Sequence, residues 1–413
     1  MTERIEVGLR RVADLRTDAP LPESDPRLLA RIRDEIAGRG PMTFARFMEI
    51  ALYDPEAGYY TRGEDDPAHA QPGGPGRSGD FLTAPEGHPI FGWTIARRLE
   101  QAWLELGRPG EFVVREHGAG RGALAVGILD GLRRSASPLL GAIRYQAVEV
   151  SERGSQAFAA TLDAEGLAAY GEDPDDRPAP GAVVANELLD ALPVHRVAGA
   201  PDGTLREWFV TSDGSGNLAM VSGVPSTPEL ARRLDAEEVR LQPGQVAEVC
   251  LGIDDWVRAA SAPLAAGLLL AIDYGYPAAE LYAPARGSTL RAYHRHRVHD
   301  DPLVAIGRQD LTAHVDLTAV ERAAAAAGLT LRRRTTQAEY LASLGLGDLL
   351  VGLQSGPDAT LETYLAARSA VVRMLDPRAT GGFTVLEFGR LPATVPAQDR
   401  PEGTATGAHP TLD

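Results

Sequence analysis

The stretch that most constrains this chain is Phe112-Val113-Val114-Arg115-Glu116-His117-Gly118-Ala119-Gly120-Arg121-Gly122-Ala123-Leu124. A short apolar run of strand length passes into three alternating glycines and then into a helix start. Glycine takes φ > 0 without steric cost and lets a ligand approach the backbone. The free N–H groups of the following helix make such a turn a receptor for polar ligand groups. Two cofactor classes use this arrangement, nucleotides with a pyrophosphate and S-adenosylmethionine. A tight strand-to-helix connection without a ligand gives the same pattern.

Glu116 separates the two classes. A dinucleotide brings two negative phosphates to the glycine turn, and a carboxylate beside the first glycine repels them. S-adenosylmethionine has no phosphate and carries a sulfonium and an ammonium, so Glu116, Gly118, Gly120 and Gly122 suit it better. The run from Gly118 to Ala123 also satisfies the dinucleotide form G-x-G-x-x-G/A. An oxidoreductase therefore stays as a rival reading, and an assembly chaperone that keeps the fold is the non-enzyme alternative.

At 413 residues the chain exceeds one ordinary core, so a main domain with a sizeable insertion is expected. The formal charge of −16 argues against a nucleic-acid surface and fits a basic substrate. All of the basic side chains counted with arginine are arginine; there is no lysine. This excludes a P-loop lysine and Schiff-base chemistry. A single cysteine, Cys250, forms no internal disulfide and no cysteine zinc cluster, and reads as a small buried hydrophobe. The longest apolar run, Leu264 to Ile272, is too short to span a bilayer, and the N-terminus lacks a signal-peptide core. No membrane insertion and a cytoplasmic location are the resulting expectations.

In chain order, residues 1–25 read as a flexible N-terminus and 26–110 as a helical and lid region. Residues 111–390 read as the main α/β domain with an insertion at 194–250, and 391–413 as a disordered tail. Within the lid region 61–79 reads as a mobile loop, and the segment Gly79 to Glu86 places Asp80, Thr83 and Glu86 at a site lid. A second strand, Ile143 to Val150, carries Glu149 near its end, where a doubly wound sheet holds ribose hydroxyls. A third, Ala182 to Ala185, ends in Asn186, Glu187 and Asp190; a helix starting there would set the two acids on one face. Short strand candidates at 194–197, 205–210 and 218–221, separated by turns, give an antiparallel meander. His294, His296 and His299 do not have a zinc spacing and lie among arginines, so no metal is expected.

Several segments together resemble one family. They are Gly40-Pro41-Met42-Thr43-Phe44 with Phe47-Met48 and Leu52-Tyr53; Gly58-Tyr59-Tyr60; Gly79-Asp80-Phe81 with Thr83 and Pro85-Glu86; and the Glu116 glycine turn with Arg121. Ala185-Asn186-Glu187 with Asp190-Ala191-Leu192-Pro193, Ile272-Asp273-Tyr274-Gly275, Gly287-x-Thr289-Leu290 and Leu311-Thr312-Ala313-His314-Val315-Asp316 complete the set. The whole is similar to the MidA-like, or DUF185, class I S-adenosylmethionine-dependent methyltransferases over about residues 28–390. The mitochondrial members of that family are complex I assembly factors that methylate an arginine of a hydrogenase-like subunit. The resemblance implies an α/β fold with a Rossmann-like seven-stranded sheet, S-adenosylmethionine as cofactor and a protein arginine as acceptor. Two positions depart from the family pattern: His117 stands where an apolar residue is usual, and Ala119 where a proline is.

Glu116, Gly118, Gly120, Gly122, Glu149 and Asn186 are thus the expected cofactor-binding residues. Glu187 and Asp190, with Asp80 from the lid, are the candidate catalytic acids, because carboxylates clamp a guanidinium in bidentate fashion. Glu86 and Thr83 are the candidate substrate contacts. The expected partner is a protein presenting an arginine, with a homodimer left open.

Overall fold

The structure, a computed structural model, describes residues 21–62, 83–294, 297–355 and 360–391. The expected flexible N-terminus up to residue 20, most of the loop at 61–79, Asp80, His296 and nearly all of the C-terminal tail lie outside the described residues.

Seven strands form the main sheet. They are β1 (Phe112–His117), β2 (Ile143–Val148), β3 (Gly171–Glu172), β4 (Ala179–Asn186), β5 (Leu264–Asp273), β6 (Thr330–Thr336) and β7 (Thr384–Arg390). Their order is β3-β2-β1-β4-β5-β7-β6. Pairing is parallel from β3 to β5, and β7 runs antiparallel to both of its neighbours. The chain leaves β1 toward one edge and returns at β4 on the other side, so β1 and β4 are adjacent at the switch point. In open α/β sheets ligands bind outside the carboxyl ends of strands at such a point.

Alternation along the strands divides the core. Phe112, Val114, Val184 and Leu270 pack on one face with the helices α3 (Ile90–Glu105) and α4 (Ala123–Arg134). Val183, Leu269 and Ala271 pack on the other, with α1 (Pro26–Arg39) and α2 (Phe44–Tyr53). Pro26 sits in the first turn of α1, where its missing N–H costs nothing, and Asp25 caps that helix by accepting from the Arg27 N–H. Thr43 caps α2 in the same way through the Arg46 N–H.

The insertion is the expected meander: His195–Gly199, Leu205–Ser212, Leu218–Gly223 and Val246–Val249 form a second antiparallel sheet. The N-terminal region joins it, since Met42 and Thr43 pair with Val210 and Phe209. That pairing carries α2, and the aromatic turn after it, over the carboxyl ends of β1 and β4.

Helices α3 and α4 meet through glycines. A Cβ on Gly92 would lie 2.6 Å from the backbone of Gly127, and one on Gly131 would lie 2.7 Å from the Trp93 Cα. This close approach fixes the axis of α4, whose first turn follows the glycine turn. Gly127→Val is therefore expected to force the helices apart at a cost of about 1–3 kcal/mol. A urea-unfolding midpoint equal to that of the wild type would contradict this packing.

Candidate active site

The three glycines of the turn all have positive φ, 71° at Gly118, 54° at Gly120 and 82° at Gly122. They do so for different reasons. A Cβ on Gly118 would meet the Leu188 side chain at 2.8 Å, and one on Gly122 the Phe158 ring at 3.0 Å. A Cβ on Gly120 would meet nothing within 4 Å. Packing demands the outer glycines; the middle one faces the open cleft. This cleft, of about 1830 Å³, runs over the carboxyl ends of β1, β2 and β4 and takes in Glu116, the glycine turn, Glu149, Asn186 and Glu187.

Glu116 is the last residue but one of β1 and is 3 % exposed; it accepts the Tyr145 hydroxyl at 2.5 Å. Burial pushes its carboxyl up to about 8, the Tyr145 hydrogen bond opposes this, and the charge of Glu149 adds to it. Glu149 follows β2 directly, and its Oε1 accepts the Gly120 N–H at 2.6 Å. Burial raises Glu149 too. The glycine turn is thus tied to the end of the second strand. Tyr145 has no role in the sequence reading: in mid-strand it reads as core, and only the pairing of β1 with β2 sets it beside Glu116.

Asn186 and Glu187 end β4. Glu187 adopts φ 51°, a left-handed conformation uncommon for a side chain larger than Asn or Asp. Its Oε1 accepts the Asn186 Nδ2–H at 3.2 Å and the Ala84 N–H at 3.4 Å. Burial pushes Glu187 up to about 8, and Asp190 adds repulsion. The Asn186 Oδ1 is buried and without a hydrogen-bond partner. Among the described residues no ion pair joins Glu116, Glu149 or Glu187 to an arginine.

The expected helix after Asn186 does not form. A single 3-10 turn, Leu189–Ala191, follows instead: Leu192, the residue before Pro193, is extended with ψ 137° and ends it. The Asp273 carboxylate at the end of β5 accepts the Leu189 and Asp190 N–H groups. Glu187 and Asp190 therefore do not share a face. Glu187 lines the cleft, whereas Asp190 is 6 % exposed and lies outside the lining, beside Tyr274. Burial pushes Asp190 up to about 6. Thr83 and Glu86 do line the cleft and form a capping box for the short helix Ala84–Gly87, with the Thr83 hydroxyl donating to Glu86 at 2.8 Å. The aromatic turn contributes Tyr53, Tyr59 and Tyr60 to the opposite wall. His294, of the histidine cluster, uses its Nδ1 on the Arg308 carbonyl.

Five carboxylates line the cleft, those of Glu49, Glu86, Glu116, Glu149 and Glu187, beside four arginines, Arg46, Arg62, Arg121 and Arg153, an unpartnered amide oxygen and an open glycine turn. The acids at the strand ends suit a ligand with positive groups and N–H and O–H donors. Residues 94–335 match a family model described as "Putative S-adenosyl-L-methionine-dependent methyltransferase". The chain belongs to the MidA-like family of S-adenosylmethionine-dependent methyltransferases. Its curated relatives include the mitochondrial protein arginine methyltransferase NDUFAF7 of Mus musculus, 31% identical over 72% of this chain and 69% of that protein. The Drosophila melanogaster homologue is also 31% identical, over 73% and 70%. Among solved structures, a superfamily member from Burkholderia thailandensis bound to S-adenosyl-homocysteine is 35% identical, with a TM-score of 0.78 over 90% of this chain and 95% of that one. These relatives correct one expectation: both NDUFAF7 proteins are mitochondrial by name, so a cytoplasmic location does not follow.

We propose that the acid pair at the ends of β1 and β2 holds the cofactor, Glu149 through the ribose hydroxyls and Glu116 near the positive groups. Glu149→Ala is expected to weaken S-adenosylmethionine and S-adenosyl-homocysteine alike, by about 1.5–3 kcal/mol, as loss of a hydrogen bond to a charged group does. Calorimetry with both ligands checks this, and weakening of S-adenosylmethionine alone would place Glu149 at the sulfonium. Affinity should also depend on pH. Free Glu116 keeps its proton up to about pH 8, whereas holding a cation requires the carboxylate, so binding releases a proton below that pH. Affinity then rises with pH, by about 20-fold between pH 6 and 7.5 if the bound pKa falls below 6. Titrations in buffers of different ionisation enthalpy read the proton directly, and binding without proton release would refute the assignment.

Proposed function

We propose that this methyltransferase acts on an arginine side chain of a protein, held by Glu187. The observation that carries the proposal is the Glu187 carboxylate itself: partly buried, in no ion pair with an arginine among the described residues, and held at the cleft by Asn186 and Ala84. The names of the NDUFAF7 relatives support the same acceptor, and the family resemblance implies a respiratory complex I type subunit as the protein that presents it.

An arginine guanidinium is protonated at neutral pH. A carboxylate accepts two of its N–H groups in parallel and leaves the remaining nitrogen directed elsewhere. Bound S-adenosylmethionine supplies an electrophilic methyl group. Methyl transfer needs donor and acceptor in line, so holding the planar group still supplies much of the rate. Burial, which raises Glu187, also equips it to take a proton as the acceptor nitrogen is alkylated. The Asn186 amide, donating to Glu187 at 3.2 Å, sets the orientation of the carboxylate. Asp190 acts at one remove, by repelling charge on Glu187 from behind the cleft wall.

Glu187→Gln keeps the shape and removes the charge. It is expected to retain S-adenosyl-homocysteine affinity and to lose about 10²–10⁴-fold in turnover, the usual range for a general acid–base group. The assay is labelled-methyl transfer to an extract from cells lacking this gene, followed by mass spectrometry of the labelled protein. Label on lysine, on RNA or on a small molecule would refute the arginine acceptor. Undiminished transfer by Glu187→Gln would refute the role of Glu187.

A further inference from the structure

The aromatic turn after α2 has no part in holding the cofactor as assigned above, yet it lines the same cleft. Tyr53 ends α2, and Tyr59 and Tyr60 follow across a turn. Tyr53 and Tyr60 stack on each other with centroids 5.6 Å apart and planes 21° from parallel, while Tyr59 meets Tyr60 edge-on at 5.0 Å. Their polar ends are committed elsewhere. The Tyr53 hydroxyl donates to the Ala191 carbonyl at 2.9 Å, and the Tyr60 hydroxyl to Asp310 Oδ1 at 2.8 Å. Burial, together with the charge of Asp310, holds both phenols well above their ordinary range, so they stay neutral. With both hydroxyls engaged, these two side chains offer the cleft ring carbon rather than a hydrogen-bonding tip.

The Tyr53 anchor matters for placement. Ala191 closes the 3-10 turn that begins two residues after Glu187, so the hydroxyl bond fixes the ring against the segment that carries the acceptor carboxylate. One wall of the cleft is then a neutral aromatic surface, and the wall beyond it carries a carboxylate. A guanidinium on a tyrosine is already present here: Arg62, which also lines the cleft, has its Cζ 5.2 Å from the centroid of the Tyr59 ring.

We propose that Tyr53 and Tyr60 form the specificity wall of the acceptor channel, selecting a planar guanidinium over an ammonium. The proposal rests on the arginine reading of the same site and deepens it. A guanidinium stacks flat on an aromatic surface while its edge meets a carboxylate; an ammonium is compact and strongly hydrated and cannot do both. The carboxylate alone attracts either cation. The aromatic wall is what distinguishes them.

The test uses the full-length protein saturated with S-adenosyl-homocysteine, titrated by calorimetry with N-acetyl-arginine amide and with N-acetyl-lysine amide. The wild type should bind the arginine probe about tenfold more tightly than the lysine probe. Tyr53→Leu should weaken the arginine probe about fivefold, in the range of an aromatic–cation contact, and bring the two probes close to equal, with S-adenosyl-homocysteine affinity unchanged. Tyr53→Phe keeps the ring and should keep the preference, which separates the ring's role from that of its hydroxyl anchor. A preference that survives Tyr53→Leu in a variant with unaltered S-adenosyl-homocysteine affinity would overturn the proposal, as would equal binding of the two probes by the wild type. If Tyr53→Leu does not fold, a Tyr60→Leu variant with intact cofactor binding gives the same readout. Methyl label on arginine in the extract assay together with no effect of either tyrosine would leave the arginine reading standing and remove the aromatic wall. Label on another residue type would remove both.

Discussion

The site depends on buried and partly buried carboxylates at strand ends that form no ion pair among the described residues. A buried ionised carboxyl is expensive unless it is paired or fully hydrogen-bonded. This protein follows that rule elsewhere. Glu387 takes two hydrogen bonds from Arg98 and one from Tyr340, and stays below the ordinary carboxylate range. Glu248 meets Arg196, Ser288 and Thr289. Glu207 meets His195 and the Ser226 N–H. Glu116 has one tyrosine, Glu149 one backbone N–H, and Glu187 an amide and a long backbone contact. The missing charge lies at the cleft, and cofactor and acceptor both bring positive groups to it.

The same contrast separates the acids that were equivalent on paper. Asp273 is buried more deeply than Glu187, and three backbone N–H groups, those of Leu189, Asp190 and Tyr274, donate to it. It shapes the turn after β4 and thereby turns Asp190 away from the cleft. Glu187, left in a left-handed conformation at the strand end, is the acid that remains exposed to a ligand. Backbone strain of this kind persists where surrounding structure holds it, and it gathers at functional sites.

Much of this was legible in the chain. The strand, glycine turn and helix at 112–134, the acid after the second strand and the Asn186-Glu187 strand end all carry local signals, because strands and tight turns are written in adjacent residues. The antiparallel meander was legible for the same reason. The relation of Glu187 to Asp190 was not, since the turn between them packs on Asp273, more than eighty residues away, which accepts the Leu189 and Asp190 N–H groups. Nor was Tyr145, whose partnership with Glu116 exists only once β1 and β2 pair. Tyr53, Tyr59 and Tyr60 lie close together in the sequence, but their position over the cleft follows from the pairing of Met42 and Thr43 with the inserted sheet, which no local pattern announces.

The claim that Glu116 keeps its proton until a cationic ligand arrives is open to direct observation. Infrared difference spectroscopy of the protein at neutral pH, before and after addition of S-adenosylmethionine, reads the protonated-carboxyl stretch. The account predicts that a protonated-carboxyl band of the free protein is lost on binding, replaced by carboxylate absorption, and that the lost component is absent in Glu116→Gln. A difference spectrum without any loss of protonated carboxyl, at full occupancy of the site, would contradict it.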